Sequence, residues 1–254
     1  MKKTIALIIT IFFVTASFAQ IKCNYAHYED TLENGTLIIA DLTIVGNVVE
    51  GYYYYEIQKE TDKMNAIIYG DWNFLKGKIN GKDITLFEFS NVDTTATITG
   101  TINDKLEISG KWKSEARGME SDFDIKPVFP EGTIPFRSYC NWGDKALTEK
   151  ENSPHAQIEM NLLLPDKTVD INLSALMNKY IIEEYSPNHQ GWQGGKILED
   201  IKESFFSQYI TKNKDIHESG FSFNWVKSLK SSIYYNQLGF TTYKITNYGF
   251  TGGA

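Results

Sequence analysis

The side chains best suited to chemistry are few and far apart. Histidines stand at positions 27, 155, 189 and 217. No two have the i, i+4 spacing that sets a pair of imidazoles on one helix face, and neither His-Glu-x-x-His nor His-x-x-Glu-His occurs. A catalytic zinc site needs three protein ligands on rigid supports, and no metal site and no cofactor motif is read from this chain. Gly-x-Ser-x-Gly is missing, and neither cysteine, Cys23 nor Cys140, sits in a nucleophile signature. Glu183-Glu184 and Asp200/Glu203 fall on segments that already carry an apolar side, so they read as solvated charge rather than as a glycosidase acid pair. Gly191-Trp192-Gln193-Gly194-Gly195 precedes a helical pattern whose first amides could hold an anion. It lacks the Lys-Ser/Thr of a nucleotide loop and reads as a plain loop and helix start. No catalytic residue is assigned, and the chain reads as a protein that holds a ligand rather than one that transforms it.

Composition narrows the class. The 254 residues are 42% hydrophobic and 14% aromatic, enough to bury a core. With 25 basic against 32 acidic residues the formal charge is −7, a poor basis for binding nucleic acid through its phosphates. Lys2-Lys3, the apolar run from Ile5 to Phe13, and the small residues Ser17 and Ala19 make residues 1–19 a secretory signal peptide cut before Gln20. The run is short for a membrane span. A lipoprotein cut before Cys23 is disfavoured by Lys22. The mature chain is therefore expected to be exported, periplasmic or extracellular, with no membrane span. An oxidising compartment permits a Cys23–Cys140 bridge; two partly buried thiols are the alternative, and the sequence leaves both open.

The elements that must position any site fall into two regions. Over residues 20–127 the pattern is period two, as in Thr95, Thr97, Thr99 and Thr101 alternating with Ala96, Ile98, Gly100 and Ile102. Gly46-Asn47, Asn80-Gly81 and Asn103-Asp104 supply two-residue turns. The spacing predicts an antiparallel meander of seven or eight strands, closed as a small barrel or packed as a sandwich. Tyr52-Tyr53-Tyr54-Tyr55 would place two rings on each face, one pair capping the core and the other opposite neighbouring strands.

Pro127, Pro130, Gly132 and Pro135 mark a linker at 128–136. Residues 137–254 are predicted to be α+β, two helices on an antiparallel sheet. A strand ends at Pro165. A helix after Asn172 has Leu173, Leu176, Met177, Tyr180 and Ile181 on one face, and a second after Gly194-Gly195 has Ile197, Leu198, Ile201, Phe205 and Tyr209. Strand character returns at Ser222–Tyr235 and Thr241–Thr246. Trp142, Trp192 and Trp225 are the candidate ligand-binding aromatics of this half.

The order of these elements carries a resemblance. The strand Ile158 to Pro165, the helix with Leu173, Leu176 and Asn178, the helix with Phe205 and Tyr209, the strands around Tyr234-Tyr235-Asn236 and Tyr243, and the string Tyr248-Gly249-Phe250-Thr251-Gly252-Gly253-Ala254 resemble the PdaC/RsiV-like extracytoplasmic domain. That domain precedes the catalytic domain of a peptidoglycan deacetylase and occurs in a lysozyme-sensing anti-sigma factor. The family string continues into a histidine and further structure, so the domain is expected to be incomplete at Ala254. The resemblance implies an accessory or sensing module that binds peptidoglycan or a cationic protein such as lysozyme, a partner the acidic net charge would suit. An envelope deacetylase or hydrolase with a dispersed site, and a lipocalin-like carrier using the first-half barrel, are the alternatives.

Overall fold

The computed structural model describes residues 22–31, 36–61, 64–70, 72–90, 92–166, 171–185, 194–218 and 223–252. The leader lies outside them. The first region is β1 (Cys23–Thr31), β2 (Leu37–Val45), β3 (Val48–Thr61), β4 (Met64–Tyr69), β5 (Asn73–Asn80), β6 (Asp83–Ser90), β7 (Asp93–Ile102), β8 (Ile108–Ser114) and β9 (Met119–Ile125). These strands form one antiparallel sheet in the order β1-β2-β3-β5-β6-β7-β8-β9, with β4 on β3 alone. The sheet curls as a half-barrel. Just past β9, Pro127 bridges Tyr28 and the Val128 amide donates to the His27 carbonyl at 2.9 Å, which ties the end of the meander to its first strand.

Turn chemistry explains the hairpins. Gly46 and Gly81 take φ of 61° and 65°, the left-handed geometry of two-residue turns. Asn103-Asp104 departs from the expected two-residue turn. The Asn103 side chain accepts from the Lys105 and Glu107 amides, and β8 starts only at Ile108. The side chain's own turn outcompetes continuation of the ladder. Tight curling needs strands without side chains at close crossings: a Cβ on Gly77 would lie 1.8 Å from the Thr85 carbonyl oxygen.

Inward-facing Tyr28, Tyr53, Leu75, Leu86, Ile98, Trp112 and Phe123 fill the curl. Glu88 is buried among them and accepts from Tyr53, from Trp112 at 2.8 Å and from Thr95 at 2.5 Å. Among the described residues this interior is packed with side chains, so the lipocalin-like carrier loses its chamber.

The second region is β10 (Phe136–Ala146), β11 (His155–Pro165), α1 (Ile171–Tyr185), α2 (Gly194–Glu218), β12 (Trp225–Gln237) and β13 (Phe240–Phe250), with strand order β10-β11-β12-β13. Its sheet is mixed rather than wholly antiparallel, because β11 and β12 run parallel. The connection between them passes through both helices, and a long crossover returns the chain in the same direction. Each helix packs against its own apolar cluster of the sheet. α2 lays Ile197, Leu198, Ile201, Phe205 and Tyr209 over Ile158, Met160 and Leu229. α1 packs Leu173 and Met177 beside Leu163, whose neighbours Leu162 and Leu164 point the other way. The apolar stripe expected on α1 is therefore rotated: Leu176 and Tyr180 are exposed, while Ser174 and Asn178 are buried. No described helix is long and apolar enough to cross a membrane.

Cys23 of β1 and Cys140 of β10 are joined by a disulfide across 117 residues, with Cα atoms 6.1 Å apart. The entropic model assigns a loop of this size about 4 kcal/mol. The Cys23→Ser/Cys140→Ser chain should lose about that much stability in urea unfolding, and an unchanged midpoint would show that the bond constrains little.

Candidate functional site

The outer face of the curled sheet is largely covered along β1, β2 and β3. It docks on the second sheet, β10 against β1 and β12 against β2 and β3. Sequence parity decides which side chains arrive there. On β1, Ala26 and Tyr28 point into the curl, so Cys23, Tyr25, His27 and Glu29 face outward. On β3, Tyr53 points in and Tyr52 and Tyr54 point out.

A buried polar network fills one end of this seam. His27 is fully buried and bonds Asp41 through Nδ1 at 2.9 Å and Glu29 through Nε2 at 3.2 Å. Burial pushes its pKa down, but the bonds to the two carboxylates outweigh that and raise it from 6.5 to about 9. The ring is thus an imidazolium at neutral pH and donates from both nitrogens. Glu29 is held below its ordinary value by the same His27 contact. Tyr25 donates to Asp41 at 2.5 Å, and burial followed by that carboxylate raises its phenol well above the ordinary value.

The second sheet completes the network. Gln237 donates to Glu29 at 2.9 Å and accepts from Tyr54 at 2.8 Å. Asn236 donates to Tyr25 at 3.1 Å, and it also pairs both backbone groups of Ile134, which fastens the 128–136 segment to β12. Beside the network, Tyr52 stacks on Tyr234 with centroids 3.9 Å apart and donates to its hydroxyl at 2.9 Å. Tyr54, Trp72 and Tyr235 form a mutual cluster with ring centroids 5.6, 5.7 and 6.3 Å apart.

Past the Tyr52–Tyr234 stack the sheets part and leave a cleft of about 860 Å³. One wall is the outer face of β2, β3, β5 and β6, with Thr43, Tyr52, Phe74, Lys76, Lys78, Thr85, Phe87 and Phe89. The other is the free face of β11, β12 and β13, with Glu159, Asn161, Ser228, Lys230, Ser232, Lys244 and Thr246. Lys244 reaches the Tyr234 hydroxyl at 3.0 Å. Burial pushes the Tyr234 phenol up, but the contacts with Tyr52 and Lys244 outweigh it and leave the pKa lowered. Aromatic faces, hydroxyls, amides and ammonium groups converge here, a set suited to recognition.

The expected aromatics fall in different places. Trp142 is 51% exposed and pairs across β10–β11 with Glu159, so it shares the cleft-side face at its margin. Trp225 is on the opposite face, buried against Phe205 and Tyr209 of α2, and serves the core. Trp192 and His189 lie outside the described residues. Sequence reasoning missed the cleft residues. Their signal was present in Phe74-x-Lys76-x-Lys78 and Thr85-x-Phe87-x-Phe89, which set aromatic rings on the side of the strands away from the core.

A second, shallower hollow of about 690 Å³ holds Asp144, Ser153 and His155. His155 donates to Asp144 at 2.6 Å, and that bond, opposed by slight burial, lowers the Asp144 pKa. A hydrolytic couple would need a nucleophile on the ring, but the Ser153 hydroxyl bonds Thr148 at 3.1 Å instead. Among the described residues no group of three His, Cys, Asp or Glu side chains is placed to hold a metal.

No protein-family profile matches the chain, and no curated protein matches it. Among solved structures it is similar to the crystal structure of a member of the DUF3298 family from Bacteroides fragilis, at 18% identity and a TM-score of 0.42. The similarity covers 49% of this chain and 53% of that one, so it spans about half of each.

The His27 network fixes a pH dependence. A pKa raised from 6.5 to about 9 corresponds to about 3 kcal/mol, fully present below the unfolded value and lost as the pH rises through the folded one. His27→Gln should be destabilised by ~3 kcal/mol at pH 7, since it leaves Asp41 without its buried cation. Its unfolding midpoint should fall less than that of the native chain between about pH 6.5 and 9. Parallel pH profiles would refute an imidazolium at this seam.

Proposed function

We propose that this is an exported, non-catalytic envelope protein that binds cell-wall glycan in the cleft between its two sheets. The observation that carries the reading is the cleft lining. Sugar rings present apolar faces edged by hydroxyls, and the lining offers the complement: the rings of Tyr52, Phe74, Phe87 and Phe89 among the hydroxyls of Thr43, Thr85, Ser228 and Ser232. Trp142 extends the aromatic surface beyond the margin, as a chain longer than the cleft would need. The signal-peptide pattern of residues 1–19 supports export, and the disulfide suits an oxidising compartment.

The alternative of a protein partner draws on the acidic net charge, which favours cationic proteins through long-range steering. The cleft itself argues the other way, because four lysines line it against two glutamates. The deacetylase or hydrolase alternative has the Asp144–His155 pair as its candidate acid–base couple, and no further described contact supports it.

Co-sedimentation with purified peptidoglycan, with immobilised lysozyme as a parallel bait, tests the reading. The native chain should be retained by peptidoglycan. Phe87→Ala, which removes a ring 41% exposed in the cleft, should weaken retention by ~5–10-fold without shifting the melting midpoint. Retention by lysozyme alone would overturn the proposal.

A further inference from the structure

The charges of the cleft point beyond a generic glycan. Two of its four lysines are already neutralised: Lys76 pairs with Glu50 at 2.6 Å and Lys230 with Glu159 at 2.9 Å. These are the two glutamates of the lining. Lys78 and Lys244 remain. Among the described residues neither has a carboxylate partner, and Lys244 bonds only the Tyr234 hydroxyl. The two stand on opposite walls, Lys78 on β5 between Val48 and Thr85, and Lys244 on β13 opposite Ser232. A chain with a formal charge of −7 thus turns two uncompensated, solvent-exposed ammonium groups toward one open cleft.

We propose that the occupant is an acidic glycan, whose sugar rings carry carboxylates that Lys78 and Lys244 hold from the two sides. This rests on the reading of the cleft as a glycan site. Charge complementarity selects the acid: a neutral sugar leaves both ammonium groups without a counter-charge, whereas a carboxylate makes charge-assisted bonds to them. The hydroxyl and amide groups of Thr85, Asn161, Ser228 and Ser232 select the glycan over the other amphiphilic acid, a fatty acid, whose acyl chain would cover them without bonding them. The net acidity of the protein repels such a ligand only weakly at a distance, since screening at physiological salt acts within about 8 Å.

The test is calorimetric titration of the full chain with two probes of equal sugar number. One is a neutral chitooligosaccharide. The other is a peptidoglycan glycan strand stripped of its peptides, with free lactyl carboxylates. The acidic strand should bind ~10-fold or more tightly than the neutral one. That ratio should shrink as salt rises. In Lys78→Glu/Lys244→Glu it should fall to one or below. Equal affinities in the native chain would overturn the acidic ligand and leave the glycan reading standing. Binding of neither strand would overturn both, and tighter binding of oleate, competed by neither glycan, would do the same.

Discussion

Everything in this molecule depends on a positive charge buried between two sheets. The His27 ring is fully buried, so its ionised form is favoured only while Asp41 and Glu29 stay within hydrogen-bond reach. Asp41 is supplied by the neighbouring strand and shared with Tyr25. Glu29 is held by Gln237, and Tyr25 by Asn236, both from the second sheet. Losing any of these partners leaves a buried polar group unsatisfied, which costs more than the bond itself contributes. The network is therefore a register device. It favours one placement of the second sheet on the first, and the disulfide between β1 and β10 joins the same two sheets covalently.

That placement creates the cleft. Where the network ends, the facing side chains become the stacked Tyr52 and Tyr234, and beyond them the sheets no longer touch. The cleft is thus a consequence of docking two curved surfaces that are fastened along one side, by the network and by the Cys23–Cys140 bond. Rigid walls lower the ordering cost of binding, and extended strands set their outward side chains at regular intervals that a linear polymer can follow.

Much of the first sheet was legible in the sequence because alternation is strict there and the turns carry Gly or Asn. The inward residues, from Ala96 and Ile98 to Trp112, are those that the period-two pattern selects. Legibility failed where one side chain changed the rule locally, as when the Asn103 amide built its own turn. It failed again on α1. The 3.6-residue period finds Leu176 and Tyr180, whereas the buried side includes Ser174 and Asn178, chosen by tertiary contacts that no helical period encodes. The parallel pairing of β11 with β12 is a matter of topology. Of the candidate site, Trp142 was singled out from the sequence and shares the cleft-side face of its sheet, while the lysines and phenylalanines of β5 and β6 drew no reading at all. Polar residues such as His27 and Gln237 gain their meaning only from one another, 208 residues apart in the case of Glu29 and Gln237.

The most direct test of a rigid inter-sheet recognition cleft is residue-resolved amide chemical-shift mapping of the labelled chain during titration with peptide-free glycan strands. The account requires the largest changes on β5 and β6 around Lys78 and Phe87, and on β12 and β13 around Ser228 and Lys244, with the amides of His27 and Asn236 unmoved. Changes gathered instead around Asp144 and His155, or along α1, would contradict it.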